Sequence, residues 1–351
     1  MLKISVILPT YNERENIVKI IPMIHQVLSS ENYEHEIIVV DDNSPDGTAE
    51  AAEKLSHEYP CVKVIKRIGK RGLSTAILEG VKASSSDIVV VMDADLQHPP
   101  DLIPVLVKRL IESKADIIVA SRYVRGGSIE KWSVWRELLS RLGTALIRLL
   151  IPGARKIKDP LSGFFAAWRN KFPDLSISNP GFKILLQILA YKPDTRVIEV
   201  PFKFSGRMHG ESKLSVKTVI MDVLEALKLS DYRPIKFALV GATGLVVNLS
   251  AMYLAMSMLE LPYWASSLVG IETSIISNYT LHELWTFRDR VKLLGRELKK
   301  RFVRLLKFHV SSAASISTTF ATTLLLTGVL GLSPYLGQFI GIILGYIANY
   351  V

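Results

Sequence analysis

Ile88-Val89-Val90-Val91-Met92-Asp93-Ala94-Asp95-Leu96-Gln97 decides the fold of the first part of this chain. Its five leading residues are apolar and rich in valine, which is how a strand buried on both faces reads. Two carboxylates, one residue apart, follow where that strand ends. Residues 4–8, 36–40, 62–65 and 117–120 are further short runs rich in Val and Ile. Residues 13–29, 48–59, 74–83 and 102–112 carry helical patterns between them. Strand–helix alternation at this spacing predicts an α/β domain with a largely parallel sheet. Ligands of such sheets bind beyond the carboxyl ends of the strands. Three polar segments fall there: Pro9-Thr10-Tyr11-Asn12-Glu13, Asp41-Asp42-Asn43-Ser44 and Asp93-Ala94-Asp95-Leu96-Gln97. No Gly-x-Gly-x-x-Gly and no Gly-Lys-Ser/Thr follows a strand, which disfavours a dinucleotide site and a P-loop.

The rest of the chain is of another kind. After Lys307 there is no Asp, Glu, Lys or Arg to the last residue, Val351. Mean hydropathy is +0.27, an average that hides this split. The 351 residues carry a net charge of +10. Many of the basic residues border apolar segments, where lipid headgroups would lie, so the charge points to a membrane rather than to nucleic acid. The single cysteine, Cys61, excludes an internal disulfide and fits a reducing compartment. Met1-Leu2-Lys3 runs straight into a strand-like segment, and no signal peptide is expected.

Four spans of roughly 20 residues each are expected at about 235–259, 263–284, 308–330 and 335–351. Leu261-Pro262 and Gly331-Leu332-Ser333-Pro334 divide them into two hairpins. The second pair resembles the first: Leu305-Leu306-Lys307-Phe308 is similar to Pro234-Ile235-Lys236-Phe237, and Pro334-Tyr335 to Pro262-Tyr263. Ile347-Ala348-Asn349-Tyr350 is similar to Ile276-Ser277-Asn278-Tyr279, so a two-helix unit is repeated. The linker between the hairpins holds Arg288, Arg290, Lys292, Arg296, Lys299, Lys300, Arg301, Arg304 and Lys307, and the two turns hold no Lys or Arg. The linker is therefore expected in the cytoplasm, with residues 1–230 on the same side. Two further helices near 132–151 and 213–229 are amphipathic. Trp135, Leu138, Leu139, Leu142, Leu146, Leu149 and Leu150 form one stripe, and Val216, Val219, Ile220, Val223, Leu224 and Leu227 the other. Flanking Arg and Lys favour helices lying at the membrane interface over core-facing ones. Glu272 lies inside a span, as a functional carboxylate or as an interhelical hydrogen-bond partner of Ser277 or Asn278. Val351 follows Tyr350 closely, and the last helix is expected to be short.

Asp93 and Asp95 can approach one site together as their strand ends. Hard divalent cations such as Mg2+ or Mn2+ take oxygen ligands and keep substrate phosphates in their shell. Gln97 adds a neutral oxygen. Alone, Asp-x-Asp also reads as a solvated loop or a helix cap before Pro99-Pro100. Its place after a buried strand, with Asp42 after another, favours the metal reading.

These segments resemble the inverting family 2 glycosyltransferases of the GT-A fold, and more narrowly the dolichyl-phosphate mannose synthases. The resemblance rests on Pro9 to Glu13, on Val39-Val40-Asp41-Asp42-Asn43-Ser44-Pro45-Asp46-Gly47-Thr48 and on Lys70-Arg71-Gly72-Leu73. It continues through Asp93 to Pro100, Ser121-Arg122-Tyr123, Asp159-Pro160-Leu161-Ser162-Gly163-Phe164-Phe165, and Arg207-Met208-His209-Gly210-Glu211-Ser212-Lys213. Residues 234–351 resemble the GtrA-like four-helix membrane domain. The resemblance implies that Pro9, Tyr11, Glu13, Val40 and Asp42 hold the base and ribose of a donor nucleotide. It implies that Asp93, Ala94, Asp95 and Gln97 hold the diphosphate and its Mg2+ or Mn2+, with Arg207 and Lys213 closing over the phosphates. Arg122, Arg136 and Ser140 would receive a lipid phosphate, and Asp93, Asp95, Arg122 and Arg207 would carry catalysis. The implied reaction moves mannose from GDP-mannose to dolichyl phosphate at the cytoplasmic face of a multi-pass membrane protein. A phosphate monoester, with a second pKa of about 6, is already anionic at neutral pH and needs no catalytic base. The closest rival is a UDP-glucose-dependent polyprenyl-phosphate glucosyltransferase; a lipid-linked sugar flippase is a more distant one.

Overall fold

A computed structural model describes residues 2–69, 72–129, 134–173, 183–204, 216–288, 291 and 297–348. It divides into two compact units, Met1–Asp231 and Tyr232–Val351. Arg207 and Lys213 lie outside the described residues, as does the side chain of Arg136.

In the first unit, β1 (Lys3–Thr10), α1 (Arg14–Ser30), β2 (Glu34–Asp41), α2 (Thr48–Glu58), β3 (Val62–Lys66), α3 (Leu73–Ala83), β4 (Ile88–Val91), α4 (Leu102–Ser113) and β5 (Ile117–Ser121) follow one another. Then come β6 (Ser128–Ile129), α5 (Val134–Leu150), β7 (Phe165–Trp168), α6 (Ile184–Tyr191), β8 (Val197–Pro201), β9 (Lys203–Phe204) and α7 (Val216–Leu229). The main sheet has seven strands in the order β3-β2-β1-β4-β7-β5-β8. Neighbours pair in parallel except around β7, which is antiparallel to β4 and to β5. β6 and β9 form a separate two-stranded ribbon.

Alternation along the strands sorts side chains to two cores. Ile4, Val6 and Leu8 join Ile17, Ile20, Ile103 and Leu106 on the face covered by α1 and α4. Ile7, Val89 and Val91 join Ile77, Ile147, Ile184 and Leu185 on the face covered by α3, α5 and α6. Both faces are covered, which is why the strands read as continuous apolar runs rather than alternating ones.

A buried carboxylate ties the amino ends of the strands. Glu36, 2% exposed, accepts from Ser5 Oγ at 2.6 Å, Lys63 Nζ at 2.6 Å and Ser85 N at 2.7 Å. Burial alone would raise its pKa; Lys63, Ser5 and Ser85 reverse that and hold it at about 2, down from 4.5. A depressed carboxylate contributes stability that is full above the unfolded value and is lost as pH falls toward the folded one. Wild-type stability therefore drops between about pH 4.5 and about pH 2, by up to about 3 kcal/mol through this group. Glu36→Gln removes that part of the slope. Urea unfolding midpoints of the two proteins at about pH 5 and about pH 2.5 check it.

The apolar stripe of α5 faces outward. Trp135 is 80% exposed, and Leu138, Leu142, Leu146 and Leu149 are exposed with it, whereas Ser140, Thr144 and Ile147 are buried. On α7, Ile220, Met221 and Leu224 are likewise exposed, and Ala226 is inside. The α7 stripe is mixed, because Val219, Val223 and Leu227 are partly buried and Val219 packs toward Gly143 of α5. The exposed apolar residues of α5, with Arg beside them, suit a lipid interface.

The second unit consists of α8 (Arg233–Met258), α9 (Tyr263–Leu281) with a π-helical turn at His282–Thr286, α10 (Leu298–Ser311), α11 (Ala313–Leu324) with a π-helical turn at Leu325–Val329, and α12 (Pro334–Ala348). Its polarity is turned inside out. Leu239, Val246, Leu254, Ile276 and Leu344 are exposed, while Asn248, Ser267, Ser274, Thr319, Thr323 and Gln338 are buried. Gln338 joins all four packed helices: its Oε1 accepts from Ser267 Oγ (2.6 Å) and Thr323 Oγ1 (2.8 Å), and its Nε2 donates to Asn248 Oδ1 (2.7 Å). On α12, Gly337, Gly341 and Gly345 lie one turn apart against α11. A Cβ on Gly341 would stand 2.7 Å from the Thr319 carbonyl, and one on Gly345 would stand 2.7 Å from that of Ser315. Small residues at this spacing let two helix backbones meet where lipid supplies no hydrophobic drive.

The expected spans are met unevenly. Only α8, among the described residues, is by itself long and apolar enough to cross a bilayer. The third expected span is not one straight helix: Leu298–Ser311 and Ala313–Val329 reach the length together but bend by 52°. The bend falls at Ser311-Ser312, a serine pair of the kind that interrupts the helical ladder. Glu272 pairs with His309, Oε1 to Nε2 at 2.9 Å, rather than with Ser277 or Asn278. In the basic linker, Glu283 is 6% exposed and takes Arg301 Nε at 2.7 Å, with Arg304 bound to its other oxygen.

Candidate active site

Four strand ends converge at the carboxyl edge of the sheet: those of β1, β2, β4 and β5. The first two are braced by their own motif. Asp41, fully buried, accepts from Thr10 Oγ1 (3.0 Å), Ser44 N (2.8 Å) and Ser44 Oγ (2.5 Å). Ser44 Oγ in turn receives the Asn12 amide at 2.9 Å. Thr48 Oγ1 receives that of Glu13 at 3.0 Å, and Asp46 receives that of Arg14 at 3.1 Å. Asn12 and Asn43 both have positive φ, 59° and 57°, the left-handed conformation that asparagine tolerates best after glycine. Most of this polarity is thus scaffolding. Tyr11 remains 41% exposed at the edge. Pro9 and Val40 are buried in the sheet, so only their backbone can face a ligand.

Asp42 is held from the side. It pairs with Arg67 Nη1 and accepts the Gly72 amide at 2.9 Å. Arg67 is itself 3% exposed and donates to Glu79 Oε2 (3.1 Å) and Thr75 Oγ1 (2.7 Å). It fixes Asp42 against the loop that leads into α3.

After β4 the chain turns sharply. Leu96 adopts φ 61°, a conformation that costs roughly 1–2 kcal/mol in an L-residue. The turn folds Gln97 back, so that its amide donates to Asp95 Oδ1 at 3.2 Å. Asp95 is 7% exposed and Gln97 9%. The Asp93 amide donates to His98 Nδ1 at 3.0 Å. Burial among Phe164, Phe202 and Phe204 pushes the His98 pKa down to about 4. With Nδ1 occupied and the ring neutral, His98 positions Asp93 and is not placed to act as a base. The 159–163 loop closes on the same carboxylate: a Cβ on Gly163 would stand 3.0 Å from Asp93 Oδ2. Two carboxylates and an amide oxygen donor at one strand end form an oxygen-rich set that fits a hard divalent cation.

Arg122 follows β5. Its Nε and Nη2 reach the two oxygens of Asp159 at 2.8 and 2.7 Å, and its amide donates to Asp159 Oδ2 at 3.0 Å. Burial works against the guanidinium charge, and Asp159 more than offsets it, so the pKa of Arg122 is raised. Its carbon lies 5.3 Å from the Tyr123 ring centre and 5.4 Å from that of Phe204. Tyr123 Oη is 2.8 Å from Ser140 Oγ, which links the β5 end to α5. The α5 backbone puts Arg136 one turn before Ser140. Lys183, just before α6, donates to the Leu161 carbonyl. Burial and then Arg122 lower its pKa, against Asp93, Asp222 and Asp159. Lys183 therefore shares an electrostatic neighbourhood with Asp93 and with Asp222 of α7, whose own pKa burial raises.

Comparisons with known proteins bear on the family and the fold. Residues 5–186 match glycosyl transferase family 2, and residues 236–351 match the GtrA/DPMS transmembrane domain. The chain belongs to glycosyl transferase family 2: it is a glycosyltransferase with an α/β GT-A domain followed by an all-α membrane domain. Among its relatives are dolichol-phosphate mannosyltransferases. That of Pyrococcus furiosus is 40% identical over 100% of this chain and 97% of its own. That of Saccharomyces cerevisiae is 39% identical over 65% of this chain and 86% of its own. A solved structure of glucosyl-3-phosphoglycerate synthase from Mycobacterium tuberculosis, in complex with Mn2+, UDP and glucosyl-3-phosphoglycerate, has the same fold. Its TM-score is 0.52 at 21% identity, over 66% of this chain and 80% of that one.

Proposed function

We propose that the chain transfers mannose from GDP-mannose to dolichyl phosphate with inversion, at the cytoplasmic face of the membrane. The observation that carries this reading is one unit's oxygen-rich strand end lying beside exposed apolar helices, in a chain whose other unit is a membrane domain. Pro9, Tyr11, Glu13, Val40 and Asp42 hold the base and ribose, Val40 and Pro9 through backbone alone. Asp93, Ala94, Asp95 and Gln97 hold the diphosphate and a Mg2+ or Mn2+ ion. The ion, when bound, neutralises charge on the departing diphosphate.

This chain's residues do the rest by placement and charge. Arg122, Arg136 and Ser140 receive the acceptor phosphate. One of its oxygens attacks the anomeric carbon from the face opposite GDP, the bond from that carbon to the β-phosphate oxygen breaks, and the electron pair leaves with GDP. The nucleophile is already anionic, so no side chain removes a proton. Lys183, with Arg207 and Lys213, adds positive charge near the leaving group. The exposed apolar residues of α5 and α7 let the polyprenyl tail stay in lipid while its phosphate reaches the site. The basic residues of the linker between the hairpins support a cytoplasmic catalytic unit.

A panel of radiolabelled nucleotide sugars with dolichyl phosphate in detergent tests the donor. GDP-mannose is expected to give a labelled lipid and UDP-glucose none. Labelling from UDP-glucose alone would replace this reading with the glucosyltransferase.

A further inference from the structure

A second set of metal-ligating atoms lies at the opposite end of the sheet. His25 sits in the fourth turn of α1, His35 near the start of β2, and Cys61 immediately before β3. His35 and Asp42 are separated by the length of β2, about 20 Å at the rise of a strand. His25 Nδ1 is 3.1 Å from His35 Nε2 and 3.5 Å from Cys61 Sγ, and the three ligand atoms all fall within 4.8 Å of one another. Around a tetrahedral zinc, with bonds of about 2.0–2.1 Å to nitrogen and 2.3 Å to sulfur, neighbouring ligand atoms stand about 3.3–3.6 Å apart. The three atoms are already nearly that close.

Outer contacts orient the set. His35 Nδ1 lies 2.8 Å from the Tyr33 carbonyl and donates to it, which leaves Nε2 as the lone-pair nitrogen aimed at the cluster. A backbone-carbonyl partner on the second ring nitrogen is the usual arrangement for a metal-bound histidine. The Tyr59 ring stands edge-on to His25, with centroids 5.1 Å apart. All three ligand residues are half-buried, so the site is neither closed off nor freely solvated. Burial, then the His35 ring, lowers the His25 pKa, which keeps a neutral imidazole available as a ligand. Burial raises that of the Cys61 thiol, so the unliganded thiol keeps its proton.

We propose that His25, His35 and Cys61 bind one borderline-soft transition-metal ion, zinc foremost, as a three-ligand site with its fourth position open. Two imidazoles and a thiolate are ligands of that class and not of Mg2+ or Ca2+. Binding forms a metal–sulfur bond, displaces water from the ion and releases the Cys61 proton to solvent, with no change of oxidation state. The ion pins α1 to the β2–β3 edge. It takes no part in sugar transfer. The competing arrangement is a hydrogen-bonded histidine pair with a thiol beside it.

Co2+ titration of the metal-stripped full chain in detergent decides between them. Cys61 is the single cysteine, so a sulfur-to-cobalt charge-transfer band reports this residue alone, and a cation on Asp93 and Asp95 contributes none. The expected band saturates at one Co2+ per chain and is displaced by Zn2+. Cys61→Ala abolishes the band, His25→Ala weakens Co2+ binding at least about tenfold, and both variants keep the wild-type transfer rate. A wild-type chain with no such band overturns the proposal without recourse to any variant. So does saturation at one ion per two chains, which is thiol bridging between copies, or a band indifferent to His25→Ala.

Discussion

Asp95→Ala is expected to abolish transfer while leaving the fold intact. Asp95 stands at the end of β4, whose residues are buried, and its Oδ1 is aligned by the Gln97 amide. The left-handed turn at Leu96 and the closing loop at Gly163 hold Asp93 and Asp95 to one place. On the proposed reading, removing one of the two clustered carboxylates breaks up the ligand set for the cation on the diphosphate. Several kcal/mol of transition-state stabilisation depend on that clamp, which corresponds to about a thousandfold or more in rate. The side chain is at a strand end rather than in either core, so the melting temperature should shift little. Near-normal turnover of the variant at saturating Mn2+ or Mg2+ would sink the metal assignment.

Arg122→Ala and Arg136→Ala are each expected to lower transfer to dolichyl phosphate by ten- to a hundredfold. That follows from about 1.5–3 kcal/mol for a hydrogen bond to a charged group. GDP-mannose affinity should change little in Arg136→Ala. Arg122→Ala is expected to cost stability as well. Asp159 is fully buried and holds Arg122 through both carboxylate oxygens. Arg122→Ala leaves that carboxylate unpaired, at a cost of about 3–5 kcal/mol. Thermal unfolding beside titrations with GDP-mannose and dolichyl phosphate resolves these outcomes. If the arginines only contact lipid headgroups, both variants keep wild-type rates in micelles. A parallel fall in nucleotide affinity would move them to the donor site.

Much of the catalytic unit is legible in the sequence because its strands are buried on both faces. Runs such as Ile88 to Val91 need no partner to be recognised, and the helices between them fall within a residue or two of the expected bounds. β7 escapes that reading. Phe165–Trp168 is four residues long and directly follows the Asp159–Gly163 segment, so it reads as the tail of a loop, yet it fills the middle of the sheet. Arg67 and Lys183 escape for another reason. A basic residue outside a motif reads as solvated, and only the folded chain shows one locking Asp42 and the other half-buried in the electrostatic neighbourhood of Asp93. In the membrane unit, counting charges finds apolar segments but not their seams. Gln338 and the glycines at 337, 341 and 345 carry no charge signal, and the bend at Ser312 falls at a serine pair inside an uncharged run that holds many other Ser and Thr residues.

The acceptor's phosphate is the centre of the mechanism: a lipid phosphate oxygen attacks, and no protein base is needed. Incubating the purified chain and labelled GDP-mannose with dolichyl phosphate or with dolichol, at matched concentrations in the same detergent, tests that directly. Label is expected in the lipid fraction with dolichyl phosphate and at background with dolichol. Comparable labelling of the free alcohol would require a base to remove its proton and would contradict the mechanism.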